Sequence, residues 1–307
     1  MNVYRSILVP LDGSALAESA LATAATLAER MDADLQLVHV HRQTVADELA
    51  VYGVTGDAAR STAEHYMQGT VDRLRAASRA RVSAEVVDGT TAESIVAHAA
   101  SVGSDLIVMA SHGRTGASRF WLGSVADGVM RAAAVPVLMV RGRLEGASGA
   151  ADAPFSRLLV PLDGSEFAEQ ALPHAIALAK LGAAEVHLLR VEEPAESLRR
   201  SVWAMAPQEP DDLPDRLRRA SNDLQTVIER FATAWAPAKP TAEARAGRRV
   251  GDTITEVAAE RGTDLIAMTT RGRGASRMIL GSVADKVVRG TECSVLLVRS
   301  GTALTAP

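Results

Sequence analysis

A chain of 307 residues that is 47% hydrophobic and 23% charged has the composition of a globular protein and the length of about two domains. A net charge of −4 and an aromatic content of 3% disfavour nucleic acid as a partner, since that role needs a basic face or base-stacking rings. No apolar run approaches the ~18 residues of a membrane span, the N-terminus has no signal-peptide pattern, and the single cysteine fits a reducing compartment. We therefore expect a cytoplasmic protein with no membrane partner.

Strand-like and helix-like segments alternate through the first half of the chain. Short apolar runs predict strands at 6–10, 34–40, 81–87, 105–110 and 136–141. Helical periodicity predicts helices at 14–31, 57–80, 91–102 and 123–133. Strands that alternate with helices form βαβ units with right-handed crossovers, so a parallel sheet is expected.

The second half repeats this order. Its predicted strands are 157–161, 184–191, 241–246, 264–269 and 293–299, and its predicted helices are 166–181, 212–235, 250–261 and 281–289. The predicted fold class is α/β, with two tandem doubly wound, Rossmann-like domains at residues 1–142 and 157–300. Each domain is expected to hold a five-stranded parallel sheet and about four helices. Residues 143–156, rich in Gly and Ala, are expected to be a linker, and 301–307 a loose tail.

Blocks of sequence recur in the two halves. ILVPLDGS at Ile7–Ser14 returns as LLVPLDGS at Leu158–Ser165. LGSVAD at Leu122–Asp127 returns unchanged at Leu280–Asp285. The chain is therefore a tandem duplication of a unit about half its length.

The recurring blocks follow strands that a parallel sheet would bring to one edge. In open α/β sheets, ligands lie beyond the carboxyl ends of the strands, where the strand order reverses. Asp12 would there accept a hydrogen bond from a ribose hydroxyl or an adenine amino group. The backbone amides of Gly113, Gly123 and Ser124 would hold phosphates, because a helix N-terminus after a glycine loop favours anions.

Ser124 and Ser282 are expected to cap the helices that follow them. Each stands before an apolar-periodic segment, and an aspartate three residues later completes a pattern like a capping box.

The sequence lacks the motifs of other nucleotide-binding folds and of serine hydrolases. No G-x-x-x-x-G-K-[ST] sequence is present, and Gly272 and Gly274 are not followed by the third glycine of the dinucleotide fingerprint. No G-x-S-x-G elbow surrounds Ser14 or Ser165, so we assign no catalytic nucleophile. We assign no metal site either.

The repeated motifs resemble those of the universal stress protein family. Its hallmark is an Asp after the first strand, and later Gly-x-x-Gly, nine residues, and Gly-Ser or Gly-Thr. Here Gly113 is the second glycine, nine residues follow it, and Gly123-Ser124 closes the motif. The resemblance covers nearly all of both halves. It implies a sheet like that of the adenine nucleotide alpha hydrolases, ATP binding where the motif is retained, and dimer-like association of the halves through their fifth strands, with a further homodimer allowed.

The resemblance also implies an adenine nucleotide site in each half, with ATP, with or without Mg²⁺, as the cofactor. The implied contacts of the first site are Pro10, Leu11, Asp12, Val40, Met109, Ala110, His112, Gly113, Arg114, Gly116, Gly123, Ser124 and Val125. Those of the second are Pro161, Leu162, Asp163, Val191, Met268, Thr269, Gly272, Arg273, Gly281, Ser282 and Val283. Val40 and Val191 would touch the base, Met109 and Met268 would pack beneath it, and the two arginines would add charge to the phosphate contacts.

The sequence departs from the family pattern in ways that keep three functions open. The first motif glycine is Ala110 in one half and the β-branched Thr269 in the other, where the spacer shortens to eight residues. The first site is therefore expected to be better formed. An ATP-binding stress-response regulator is favoured, because no catalytic base is evident and any hydrolysis would be slow. The alternatives are a Mg²⁺-dependent nucleotide hydrolase or phosphotransferase, with Asp12 and Asp163 holding the metal, and a nucleotide-free interaction scaffold.

Overall fold

The computed structural model describes residues 3–42, 56–111, 123–141, 154–194, 212–236, 238, 240–270 and 280–299, and the side chains of all of these except residues 56 and 57. Two compact units separate between Pro154 and Phe155. Phe155 is buried and Ser156 is hydrogen-bonded to Asp264, although both fall in the segment expected to be a linker. None of the helices in these ranges has the length and apolar character needed to cross a membrane.

The described part of the first unit is a parallel sheet with helices between its strands. The strands are β1 Ser6–Pro10, β2 Asp34–His41, β3 Arg81–Asp88, β4 Leu106–Ser111 and β5 Val137–Arg141. The helices are α1 Ala15–Glu18, α2 Leu21–Met31, α3 Gly56–Ala77, α4 Thr91–Ser101 and α5 Ser124–Ala132. The strand order is β3-β2-β1-β4-β5, and every neighbouring pair is parallel.

The described part of the second unit has the same arrangement. Its strands are β6 Arg157–Pro161, β7 Glu185–Glu192, β8 Thr241–Ala246, β9 Leu265–Thr270 and β10 Ser294–Arg299. Its helices are α6 Glu166–Glu169, α7 Leu172–Lys180, α8 Leu213–Arg230, α9 Ala232–Trp235, α10 Val250–Glu260 and α11 Ser282–Gly290. Its order is β8-β7-β6-β9-β10, again parallel throughout, so the predicted α/β fold class is confirmed.

The central strands form the core of each unit. Ile7, Leu8 and Val9 of β1 are fully buried, and so are Leu106, Ile107 and Val108 of β4. Consecutive buried residues on one strand mean that both faces of the sheet are covered, which is why these strands read as unbroken apolar runs.

In each unit, an aspartate just before the fourth strand accepts hydrogen bonds from the backbone at the start of the first strand. Asp105 accepts hydrogen bonds from the backbone amides of Arg5 and Ser6, at 2.8 and 3.1 Å. Asp264 accepts equivalent bonds from Ser156 and Arg157, also at 2.8 and 3.1 Å. Burial raises the pKa of the Asp105 carboxyl, and the two amide bonds oppose that rise.

The first predicted helix of each unit is interrupted, which corrects the sequence prediction. Between α1 and α2, the hydroxyl of Ser19 donates to the carbonyl of Leu16 at 2.7 Å, and such a bond competes with helical hydrogen bonding. In the second unit, Pro173 lies in the first turn of α7, a position that proline tolerates because no intrahelical amide donor is needed there.

Candidate functional site

The strand order places a reversal between β1 and β4. The chain proceeds outward from β1 through β2 to β3, then returns to the other side of β1 to form β4 and β5. Leu8 of β1 lies beside Ile107 of β4 in a parallel register, so the carboxyl ends of both strands meet at one edge. This is the edge at which open α/β sheets bind ligands.

The turn after β1 is fixed by its own side chains. Gly13 adopts a φ of 82°, a left-handed conformation that favours glycine. Asp12 Oδ1 accepts from the amide of Ser14 at 2.9 Å, and Ser14 Oγ accepts from the amide of Ala17 at 3.1 Å, which caps α1. Asp12 itself is exposed and makes no other hydrogen bond within the described part of the chain.

The start of α5 differs from the prediction by one residue. Gly123 is the N-cap, and Ser124 is the first residue of the helix, without a capping side-chain bond. The carboxylate of Asp127 forms a two-point ion pair with Arg131, at 2.7 and 3.0 Å. Because the N-cap of α5 is a glycine, it supplies no side-chain bond to the first-turn amides, which can act as donors to an anion.

These two turns border one cavity of about 270 Å³, which we call the first-half cleft. Its volume is close to the lower end of the range for small-molecule sites, about 300–1,000 Å³. The predicted residues that line it are Pro10, Leu11, Asp12, Val40, Met109, Ala110, Gly123, Ser124 and Val125. The predicted contacts His112, Gly113, Arg114 and Gly116 lie outside the described residues.

Further lining residues were not predicted from the sequence. They are Ser14, Leu16, Ala17, Val38, Thr91, Ile95, Ser111 and Ala126. Thr91 opens α4, the helix that follows β3, and its position at the same edge could have been read from the Asp-Gly turn that ends β3. Ser111 is the last residue of β4, one position beyond the predicted end of that strand.

The first-half cleft combines apolar walls with a polar rim. Leu11, Val38, Ile95 and Met109 are buried apolar residues that line it. Asp12 is the one ionisable side chain among the described lining residues. A flat apolar ring fits the walls, and the uncapped amides of α5 fit a negatively charged group.

The second half builds the same turns with different details. Gly164 has a φ of 81°, and Asp163 Oδ1 accepts from both the amide and the hydroxyl of Ser165, at 2.9 and 2.5 Å. Gly281 is the N-cap of α11, and Ser282 is again the first helical residue, which corrects the prediction that Ser282 is the cap. Asp285 forms an ion pair with Arg289 at 3.0 Å, as Asp127 does with Arg131.

The structure describes only some of the residues predicted to form the second site. Pro161 ends β6, Met268 and Thr269 lie on β9, and Val191 lies on β7. Gly272 and Arg273 fall outside the described residues. A cavity of about 310 Å³ in this half contains Leu162 alone among the predicted residues, since its other walls come from Gly164, Glu169, Arg190 and α8.

Strand order, duplicated turns and a cleft at the reversal point define a tandem pair of doubly wound α/β domains. The family model of the universal stress proteins matches residues 3–141 and 154–299, which together make up most of the chain. The chain belongs to the universal stress protein family, as the motifs had indicated.

Individual relatives agree with this assignment. Universal stress protein YxiE of Bacillus subtilis is 29% identical over 153 residues, which cover 45% of this chain and 100% of that protein. A universal stress protein of Methanocaldococcus jannaschii is 29% identical over 143 residues, which cover 46% of this chain and 84% of that protein. The crystal structure of a universal stress protein from Archaeoglobus fulgidus matches over 96% of this chain and 98% of that chain, with a TM-score of 0.69 and 22% identity, and so shares its fold.

Proposed function

We propose that the chain binds an adenine nucleotide in the first-half cleft and acts in the cytoplasm as a nucleotide-dependent regulator of the stress response. The observation that carries this proposal is the meeting of two distant turns at one cavity. Asp12 borders it from the turn after β1, and the uncapped start of α5 borders it at Gly123 and Ser124.

The chemistry of the lining fits the parts of a nucleotide. The buried side chains of Leu11, Val38 and Met109 suit an adenine ring. The exposed carboxylate of Asp12 suits a ribose hydroxyl or the adenine amino group, both of which are donors. The α5 amides suit phosphate, so ATP, carried with or without Mg²⁺, is the proposed ligand.

The proposed role is binding and not rapid turnover. Asp12 lies in a turn and already accepts the amide of Ser14 at 2.9 Å. A group that contributes equally to the bound substrate and its transition state gives little acceleration of the chemical step. We therefore expect ATP hydrolysis, where it occurs, to be slower than ~1 per second, below the range of ordinary enzymes.

Titration calorimetry of the full chain with ATP, AMP and GTP tests the ligand. We expect saturable binding of the adenine nucleotides with a stoichiometry of about one or two per chain, and weaker binding of GTP. Absence of binding at millimolar ligand would contradict the proposal. Steady-state hydrolysis with Mg²⁺ tests the role: turnover well above ~1 per second that Asp12→Ala abolishes would favour a hydrolase instead.

A further inference from the structure

The second half holds a cavity on the other face of its sheet from the predicted base contact. The cavity, of about 310 Å³, is lined by Arg190 of β7 and by side chains of α8 from Asp223 to Arg230. Arg190 and Val191 are consecutive on β7, so their side chains point to opposite faces. We call this space the α8 cavity. It shares only Leu162 with the predicted nucleotide contacts.

Helices α3 and α8 occupy equivalent places in the two halves. α3 packs on β2 and β3, and α8 packs on β7 and β8. Buried residues recur on both helices with the same spacing, namely Ala63 and Met67 on α3, and Ala220 and Leu224 on α8. Aligning these pairs makes Asp223 of α8 the counterpart of Tyr66 of α3.

In the first half, this position holds an aromatic ring that is hydrogen-bonded to an acid. The hydroxyl of Tyr66 donates to Glu18 Oε1 at 2.9 Å, and Arg73 donates to Glu18 Oε2 at 3.1 Å. Burial, together with the hydrogen bond to Glu18, raises the pKa of the Tyr66 hydroxyl to about 12. The phenol is therefore a permanent donor at neutral pH.

The second half keeps the acid and the arginine but not the ring. Glu169 lies four residues after the serine of the repeated turn, as Glu18 does, and accepts from Arg230 at 2.8 and 3.0 Å. Asp223 pairs instead with Arg190, at 2.9 Å. None of the described residues that line the α8 cavity is aromatic. Its volume is close to the lower end of the range for small-molecule sites, about 300–1,000 Å³.

We propose that the α8 cavity binds a small phenol, whose ring takes the place that Tyr66 fills in the first half and whose hydroxyl donates to Glu169. Leu224 and Val227, both buried, supply an apolar wall for the ring. The site is independent of the proposed nucleotide function, because it lies on the other face of the sheet.

The charges of the α8 cavity favour an uncharged ligand. The carboxylates of Glu169 and Asp223 offset the guanidinium groups of Arg190 and Arg230, so neither an anion nor a cation meets a net opposite charge. Guanidinium groups also lie favourably against the face of an aromatic ring.

Fluorine NMR of the full chain with para-fluorophenol tests the inference. We expect saturable binding with a dissociation constant of about 1 mM or below. Asp223→Tyr places a ring in the cavity, as in the first half, and should weaken binding at least about ten-fold. Ser221→Tyr is the matched control, because Ser221 is an exposed residue of α8 outside the lining, and its affinity should stay within about two-fold.

Para-fluoroanisole, which has no hydroxyl donor, should bind the unaltered chain at least about five-fold more weakly. This comparison needs no substitution, so it still decides if Asp223→Tyr does not fold. Equal affinity of the two compounds would overturn the contact with Glu169. Absence of para-fluorophenol binding at about 10 mM, or its displacement by saturating ATP, would overturn the site. Absence of ATP binding would contradict the proposed function alone.

Discussion

The hydroxyl of Ser165 donates a 2.5 Å hydrogen bond to the carboxylate of Asp163, which also accepts the amide of Ser165 at 2.9 Å. In the first half, Asp12 accepts a hydrogen bond from the amide of Ser14 at 2.9 Å. The hydroxyl of Ser14 instead accepts a hydrogen bond from the amide of Ala17. Asp163 is thus held more firmly within its own turn than Asp12 is, and less of its acceptor capacity remains for a ligand.

The two halves are therefore expected to differ in nucleotide affinity. Asp12→Ala should weaken the tighter binding event by about ten-fold or more, because it removes an acceptor that faces the first-half cleft. Asp163→Ala should leave that event within about two-fold. Calorimetry on both variants makes the comparison, and each substitution disturbs an equivalent turn. Equal losses in the two variants would contradict the asymmetry.

Gly123 should matter to binding more than to folding. A Cβ added at this position would meet no atom of the described residues within 4 Å, and the φ of Gly123, −57°, is open to any residue. Serine is also a favoured N-cap, so Gly123→Ser should keep the free energy of unfolding within about 0.5 kcal/mol or raise it slightly.

The same substitution places a side chain at the rim of the first-half cleft, where the α5 amides are proposed to meet phosphate. We expect ATP affinity to fall at least about ten-fold, while adenosine is affected less. Urea unfolding and calorimetry on one preparation measure both effects. Unchanged ATP affinity would show that the ligand does not approach the start of α5.

Gly128 is expected to be required by helix packing. A Cβ added there would lie 2.7 Å from the Cβ of Ala92 on α4. Gly128→Ala should therefore destabilise the chain by about 1–3 kcal/mol. Combined with Ala92→Gly, which removes the opposing methyl group, it should cost less than the sum of the two single changes.

Gly69 provides the matched control for this prediction. It is an exposed glycine within α3, and an added Cβ would have no neighbour within 4 Å in the described part of the chain. Gly69→Ala should stabilise the chain by about 0.5–1 kcal/mol, through helix propensity alone. Chemical denaturation of the four variants distinguishes crowding from propensity, and a stabilised Gly128→Ala would refute the packing argument.

His187 should make the stability depend on pH. Burial, together with the nearby charge of Arg261, lowers the pKa of His187 to about 4, although Glu243 opposes this shift. Its Nδ1 lies 2.8 Å from Thr241 Oγ1, whereas its Nε2 is 3.5 Å from Glu243 and has no hydrogen-bond partner among the described residues. The folded pKa lies below the unfolded value of about 6.5, so the neutral form of His187 stabilises the fold. Its contribution to the free energy of unfolding, about 3 kcal/mol, is fully present above about pH 6.5. It is lost as the pH falls towards 4.

Urea unfolding of the chain and of His187→Gln between pH 7 and 4.5 measures this contribution. The variant should show a shallower loss of stability on acidification, because one group that takes up a proton on unfolding is gone. His65→Gln, at an exposed position of α3, is the control for a histidine change as such. Parallel profiles for all three proteins would show that His187 does not titrate on unfolding.

The sequence predicted those features that depend on residues with a strong preference for one local structure. The Asp-Gly pairs at 12–13 and 163–164 are typical of turns, and Gly13 and Gly164 both have a positive φ. The parallel sheet was expected from βαβ alternation, and the unbroken apolar runs reflect burial of the central strands on both faces.

The sequence could not predict features that depend on tertiary contacts or on competition between local hydrogen bonds. The interruption at Ser19 depends on a side-chain bond to Leu16 that hydrophobic periodicity does not reveal. Ile95 lines the first-half cleft because α4 packs beside the end of the sheet, a relationship between distant segments. Gly123 and Ser124 are both acceptable caps, so the sequence alone could not choose between them.

The bond between Asp105 and the amides of Arg5 and Ser6 constrains the order of events during synthesis. These partners are 100 and 99 residues apart, and β1 gains its neighbour β4 only when that later segment has left the ribosome. At about 5–20 residues per second, the apolar strand Ile7 to Val9 waits several seconds or longer with one side unpaired. Ser156 and Arg157 wait in the same way for Asp264 to be synthesised. The nascent chain therefore exposes an unpaired strand edge twice, once in each half. We expect chaperone binding to be strongest at these two lengths of the nascent chain.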